Sequence, residues 1–317
     1  MARLDPQLLI QVLEKARVAT DQCPCGAVTG AAGLALIGCE LPRDLEREAV
    51  DGPVRLSADW ASDRRSPVAV RRHRDPLPPW LTLDGVPIAS PADCLVELVA
   101  SHLPADYCVP FAARRPWADL SVTGQRRRLR RILELDGQPW PLTRFTRSPD
   151  REFLNLIMVA DGLMRRKNPI MSKQELERGL DALGRRPGIR GAQLVVSLAE
   201  PGTDSVPETW VRVVMRDAGL PRGIPNRPVR DESGVVVRSD DLGVEGYPMA
   251  VEYQGGYHFK DAEQAYLDME RREQLRSLGR TMIEVGYKDL PDQTRLIRRI
   301  ATEIALFEGW RLPKAPS

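Results

Sequence analysis

The stretch from Asp241 to Arg272, DLGVEGYPMAVEYQGGYHFKDAEQAYLDMERR, decides the reading of this 317-residue chain. Met249, Ala250, Val251 and Tyr253 form a short apolar run of the length and composition of a β-strand, and Glu252 lies inside it. A carboxylate in a core strand is costly to bury unless a cation or a fixed donor meets it. Asp241 stands upstream, at the end of a run that includes Val235-Val236-Val237-Arg238. A turn at Gly246-Tyr247-Pro248 lays the two strands antiparallel and lets both acids meet at one end. Two carboxylates converging on a cleft suit a hard divalent cation with oxygen ligands, typically magnesium. Either Asp240 or Asp241 could serve. The spacing to Glu252 and the following Leu242-Gly243-Val244 favour Asp241, with Asp240 as its outward neighbour, because alternate strand residues face opposite sides.

The flanks supply the other elements. Ser205-Val206-Pro207-Glu208 has the spacing of a capping box, so Glu208 is either a helix cap or a group that orients a reacting water. Trp210, Val213 and Val214 give that helix its apolar face, and Ala218-Gly219-Leu220-Pro221 stops it. Val229 to Val235 reads as a hairpin with Asp-Glu-Ser-Gly at its tip. Beyond Gly255-Gly256, an amphipathic helix is expected from Asp261 to Leu278, with Gln264, Asp268 and Arg271 or Arg272 at helical spacing. A strand at Thr281–Val285 and a last helix from Asp292 to about Phe307 complete the series.

This ordered series, over residues 203–308, resembles the PD-(D/E)XK nuclease superfamily. It looks closest to the branch near the very-short-patch-repair endonucleases. The resemblance implies a restriction-endonuclease-like αβββαβ core and hydrolysis of DNA phosphodiester bonds that depends on Mg²⁺ (or Mn²⁺). Carried over residue by residue, Asp241 and Glu252 match the metal-binding acids, and Glu208 matches a glutamate on the first helix. Gln254 stands where the family usually places the catalytic lysine, or in this branch often another acid. His258 matches a histidine common in the branch, and Asp268 with Arg271 or Arg272 matches its D-x-x-R pattern. A lysine would stabilise charge developing on the phosphate; glutamine hydrogen-bonds but brings no charge. Of the six lysines in the chain, Lys260 is the nearest substitute and Lys288 the next, while His258 is placed to assist proton transfer or touch the phosphate. The expected catalytic set is therefore Glu208, Asp241, Glu252, Gln254, His258 and Lys260.

Outward from this core, residues 1–110 mix short helices and strands. The first helix, MARLDPQLLIQVLEKARVA, carries Asp5 and Glu14 and reads as part of a fold, not as a signal peptide. A small-residue helix follows at GAVTGAAGLALIGCELP, then strands at Pro53–Leu56 and Val68–His73, and Gly85-Val86-Pro87-Ile88-Ala89 leads into a capped helix at Ser90-Pro91-Ala92-Asp93. This order resembles the C-terminal half of type IV abortive-infection antitoxin proteins; the winged helix with which those proteins begin is not evident, so operator reading is not expected. The five cysteines are odd in number and sparse, which fits a reduced, cytoplasmic setting. Cys23-Pro24-Cys25 has no second pair or nearby histidine to complete a zinc site.

Residues 111–202 read as a helical connector, with helices at Leu120–Leu135, Pro149–Met164, Ser172–Leu183 and Gly188–Ala199. Net charge is +2, but residues 111–200 hold 18 Lys and Arg against 10 Asp and Glu. Arg126, Arg127, Arg128, Arg130 and Arg131 make the densest cluster, and with Arg271 and Arg272 they are the candidates for neutralising a nucleic-acid backbone. The competing reading is a solvated basic face in an arginine-rich chain. No apolar run is long enough for a membrane span. The expected architecture is thus α+β: a mixed α/β region at 1–110, a basic helical connector at 111–202, and the nuclease-like core at 203–317. The expected partner is nucleic acid, DNA before RNA, in a setting of phage defence or DNA repair that the resemblance alone implies. The alternative is a nuclease fold that binds nucleic acid or regulates without cutting. Neither a cognate toxin nor a homodimer can be read from the sequence.

Overall fold

The computed structural model describes residues 4–59, 69–73, 78–107, 122–134, 149–231, 233–254, 269–270, 273, 277–290 and 293–310. The protein is α+β, and its chain divides into two compact units. One is Met1–Ala113 with Pro149–Val206; the other is Arg114–Ser148 with Pro207–Ser317. The stretch expected as a connector is therefore shared out between the two units and forms no body of its own.

The first unit opens with α1 (Pro6–Gln22), β1 (Ala27–Thr29), α2 (Gly30–Leu36), α3 (Arg43–Asp51), β2 (Arg55–Asp59), β3 (Ala69–His73), β4 (Leu81–Leu83), β5 (Val86–Ile88) and α4 (Pro91–His102). After α5 (Val122–Glu134), which belongs to the other unit, it resumes with α6 (Asp150–Leu163), α7 (Lys173–Ala182) and α8 (Ile189–Leu198). Its sheet runs β3-β2-β1-β5-β4, parallel at β1–β5 and β2–β3 and antiparallel elsewhere. Helix α4 is the hub, in contact with α2, α6, α7 and α8. Its start follows the sequence signal: Ser90 Oγ accepts the Asp93 N–H at 3.1 Å, with Pro91 in the first turn. Helix α2 comes so close that a Cβ on Gly33 would lie 2.7 Å from Cys94 Sγ. Helix α7 carries a complete capping box, Glu175 N–H to Ser172 Oγ at 3.2 Å and Ser172 N–H to Glu175 Oε2 at 2.7 Å.

The second unit contains α9 (Val206–Ala218), β6 (Gly223–Arg230), β7 (Val236–Val244), β8 (Met249–Gln254), β9 (Thr281–Gly286) and α10 (Gln293–Phe307), with α5 added from upstream. Strand order is β6-β7-β8-β9, antiparallel through β8 and parallel at β8–β9. The β6–β7 turn is held by Asp231, whose Oδ1 accepts from the Ser233 N–H (2.9 Å) and the Val235 N–H (2.9 Å). Gly246, at φ 79°, supplies the left-handed residue in the turn to β8. Leu242, Val244, Met249, Ala250, Val251, Ile283 and Val285 line the sheet's buried surface. Val211, Val213, Val214 and Met215 of α9 are buried, as are Leu296, Ile297, Ile300 and Ile304 of α10. Helix α5 lies on α10 through buried Leu129 and Ile132. Among the described residues no helix is long and apolar enough to cross a membrane.

Candidate functional site

The candidate site sits where β7 and β8 part. Leu242 and Gly243 pair with Val251 and Ala250. Continued by one residue, that register sets Asp241 across from Glu252. There the Asp241 carboxylate accepts the Tyr253 N–H at 3.0 Å, a side chain standing where a ladder would use a carbonyl. Asp241 is half-buried, and Glu252 is 8 % exposed. Burial pushes the Glu252 carboxyl up to about 7, and the Asp241 charge beside it pushes the same way. Arg238 opposes both: its Nη2 is ion-paired with Glu252 Oε1. Asp240 adds a smaller upward push.

The donor set fits a hard divalent cation. Both groups are carboxylates, and the Asp241 charge raises the cost of ionising Glu252, which a shared cation would relieve. Among the described residues no group of three or more His, Cys, Asp or Glu is arranged to hold a metal. The pair would therefore supply two protein ligands, a number common for magnesium, which keeps several waters.

Asp240 is not the outward neighbour that strand alternation implied. It is fully buried and clamped by two arginines. Arg227 Nη2 lies 3.2 Å from Asp240 Oδ2, and Arg280 Nη2 is ion-paired with the same oxygen. Arg227 also donates to the carbonyls of Val244 (2.7 Å), Tyr247 (3.1 Å) and Met249 (2.6 Å), tying β6 to the turn between β7 and β8. The end of β7 is buried at consecutive positions, Leu242, Gly243 and Val244, so alternation there does not sort acids into solvent and core. Asp240 braces the strand that carries Asp241.

The remaining candidates fall in three groups. Gln254 ends β8, half-buried, two residues beyond Glu252. Glu208 is buried at the third position of α9, which puts Ser205 at the N-cap position of the expected box, and buried Arg212 follows one turn later. Lys288 has its ammonium 5.9 Å from the ring centroid of its neighbour Tyr287. Of the cluster on α5, Arg126, Arg127, Arg130 and Arg131 are exposed and Arg128 is half-buried. Two of these turn partly inward onto the unit's own surface: Arg126 Nε meets Glu308 Oε2 at 3.1 Å, and Arg130 lies 5.9 Å from the Trp310 ring centroid. His258, Lys260, Asp268, Arg271 and Arg272 lie outside the described residues.

Sequence reading passed over the partners of the acids. Arg238 was visible only as a strand residue near Asp241, and its reach to a carboxylate on the next strand has no local signal. The Arg227–Asp240 pair has no local signal either: the turn sets Arg230 against Val236, and a one-residue register shift between Val229 and Arg230 is what brings Arg227 opposite Asp240. The chain matches no family model, no curated protein and no solved structure among those compared with it.

Proposed function

We propose that the second unit is a metal-dependent DNA phosphodiester hydrolase of the restriction-endonuclease-like kind, with Asp241 and Glu252 as its cation ligands. One observation carries this reading: two acids from neighbouring strands are held together at the parting of β7 and β8, with Glu252 tuned to about 7. The order α9-β6-β7-β8-β9-α10, with a parallel last pair, supports it as a setting. A magnesium or manganese ion held by these carboxylates supplies Lewis-acid stabilisation of charge developing on a phosphoryl oxygen.

The chain's own groups do the rest. Glu252 has to shed its proton before it can ligate, so cleavage rises with pH through the neutral range. Gln254 brings hydrogen-bonding capacity to the end of β8 but no charge. Arg238 supplies the cation that Gln254 lacks: its Nη2 holds Glu252, while its Nε and Nη1 are buried without a hydrogen-bond partner. Such donors are suited to a phosphate oxygen.

A second reading rests on the same arginine. If Arg238 is the permanent counterion of Glu252, the unit binds nucleic acid or regulates a partner without cutting. A plasmid-relaxation assay with Mg²⁺ or Mn²⁺ separates the two. Nicking by the parent that Glu252→Gln removes supports hydrolysis. Nicking that persists in the variant is contamination, and a parent that binds DNA without nicking it favours the regulator.

A further inference from the structure

The geometry points to a second anion-binding site on this unit, a groove between β9 and α10 that holds the phosphate backbone of duplex DNA. The groove has a volume of about 550 Å³. Among the described residues it is lined by Met282 and Ile283 from β9 and by Arg295, Arg298, Arg299 and Thr302 from α10. Glu303 is the one acid in that lining, against three arginines.

The arginines differ in what they already do. Arg299 is committed to the fold, donating to Asp289 Oδ1 at 3.1 Å and to the Glu284 carbonyl at 2.7 Å. It fixes α10 against the edge strand and so sets the groove's width. Arg298 is different: its Nη2 is buried and has no hydrogen-bond partner. Buried guanidinium donors nearly always find an acceptor, and a missing one points to an external group. A phosphate matches best, since its oxygens accept two parallel N–H bonds from one guanidinium. Thr302, one helical turn beyond Arg298, adds a hydroxyl on the same side of α10.

Position ties the groove to the acids. Glu284, whose carbonyl Arg299 grips, pairs in register with Glu252 on β8. The groove is therefore built on the strand next to the one that carries Glu252. Naming the anion as DNA rests on the hydrolase reading above; the presence of a cationic groove does not.

The test is fluorescence anisotropy of a labelled duplex with the full-length protein in EDTA, across a KCl series. Arg298→Gln, the Arg295→Gln/Arg298→Gln pair, and an Arg178→Gln/Arg190→Gln pair on exposed positions of the other unit are compared with the parent. Removal of an unsatisfied donor leaves thermal stability at the parent value, which scanning fluorimetry checks. The double groove variant is expected to bind about tenfold more weakly, with a salt slope lower by about 2, while the other pair changes neither. Arg298→Lys, which keeps the charge but loses the paired N–H groups, restores the salt slope and only part of the affinity. Parent-like binding and slope in the groove variants overturn the proposal, whether or not the protein cuts DNA. So does a thermal shift with inorganic phosphate that Arg298→Gln abolishes while duplex binding stays intact, because the groove is then a small-anion site. Loss of binding in the groove variants of a protein that cuts no plasmid leaves the groove standing and removes the hydrolase.

Discussion

Glu252 holds its proton to about pH 7 because it is buried and because Asp241 is beside it, with Arg238 opposing both. The shift from 4.5 to about 7 means that ionising Glu252 opposes folding by on the order of 3 kcal/mol at pH 8. The sign is that of a raised acid: the folded state binds more protons than the unfolded one between pH 4.5 and 7, so stability falls as pH rises through that window. Glu252→Gln is therefore expected to flatten this part of the stability–pH curve, measured by urea unfolding from pH 5 to 8. A cation shared by the two acids reverses the penalty, so Mg²⁺ or Mn²⁺ is expected to raise the melting temperature more at pH 8 than at pH 6. Arg238→Gln removes the opposing charge and pushes the Glu252 carboxyl higher, so on the proposed function metal binding and cleavage are expected to rise at higher pH than in the parent. On the proposed hydrolase, Asp241→Asn or Glu252→Gln is expected to cost cleavage at least about 100-fold, equivalent to roughly 3 kcal/mol of transition-state stabilisation, read by the plasmid-relaxation assay.

At the scale of elements, strands β7 and β8 position the acids and the Arg227–Asp240–Arg280 cluster holds the strands. Asp240→Ala leaves two guanidinium groups facing a buried gap and is expected to cost about 3–5 kcal/mol in denaturant unfolding. It is thus expected to abolish function through the fold, unlike Asp241→Asn, which leaves the unfolding midpoint near that of the parent. Much of this was legible in the sequence. The Asp231–Gly234 turn, the Gly246 turn, the apolar run at Met249–Val251 and the Ile/Leu periodicity of α10 each carry a local signal, and the strands and helices fall where those signals put them. The environment of the acids was not legible. Sequence alternation assumes that one sheet face is wet; here Leu242 and Gly243 are both buried, and the neighbouring Asp240 is the more buried of the two aspartates. That Asp240 is the brace depends on Arg227 and Arg280, brought from 13 and 40 residues away.

At the scale of the molecule, the two units have separate acid–base chemistry. In the first, His102 Nε2 meets Glu48 Oε2 at 2.7 Å, and Nδ1 lies 2.9 Å from the Leu98 carbonyl. With an acceptor at each nitrogen, the imidazolium is the matched form, and the Glu48 hydrogen bond, against burial, holds its pKa above 6.5. A raised histidine stabilises below its unfolded pKa, and that contribution is lost as pH rises through the folded value. His102→Gln is therefore expected to remove a stability loss above pH 6.5 and to leave the metal response of the second unit unchanged, as read by calorimetry with and without Mn²⁺. The division of the helices between units was hidden in the sequence for a plain reason. Periodicity marks which face of α6, α7 or α8 is apolar, but it says nothing about whether the covering surface is α4 or a distant sheet.

The proposed function requires Asp241 and Glu252 to share one cation. Mn²⁺ titration followed by electron paramagnetic resonance at pH 8 measures it directly, since bound and free ion give different signals. One site per chain in the parent, lost in both Asp241→Asn and Glu252→Gln while the fold persists, is the predicted result. No bound Mn²⁺ in the parent, or a site that both variants retain, contradicts the account.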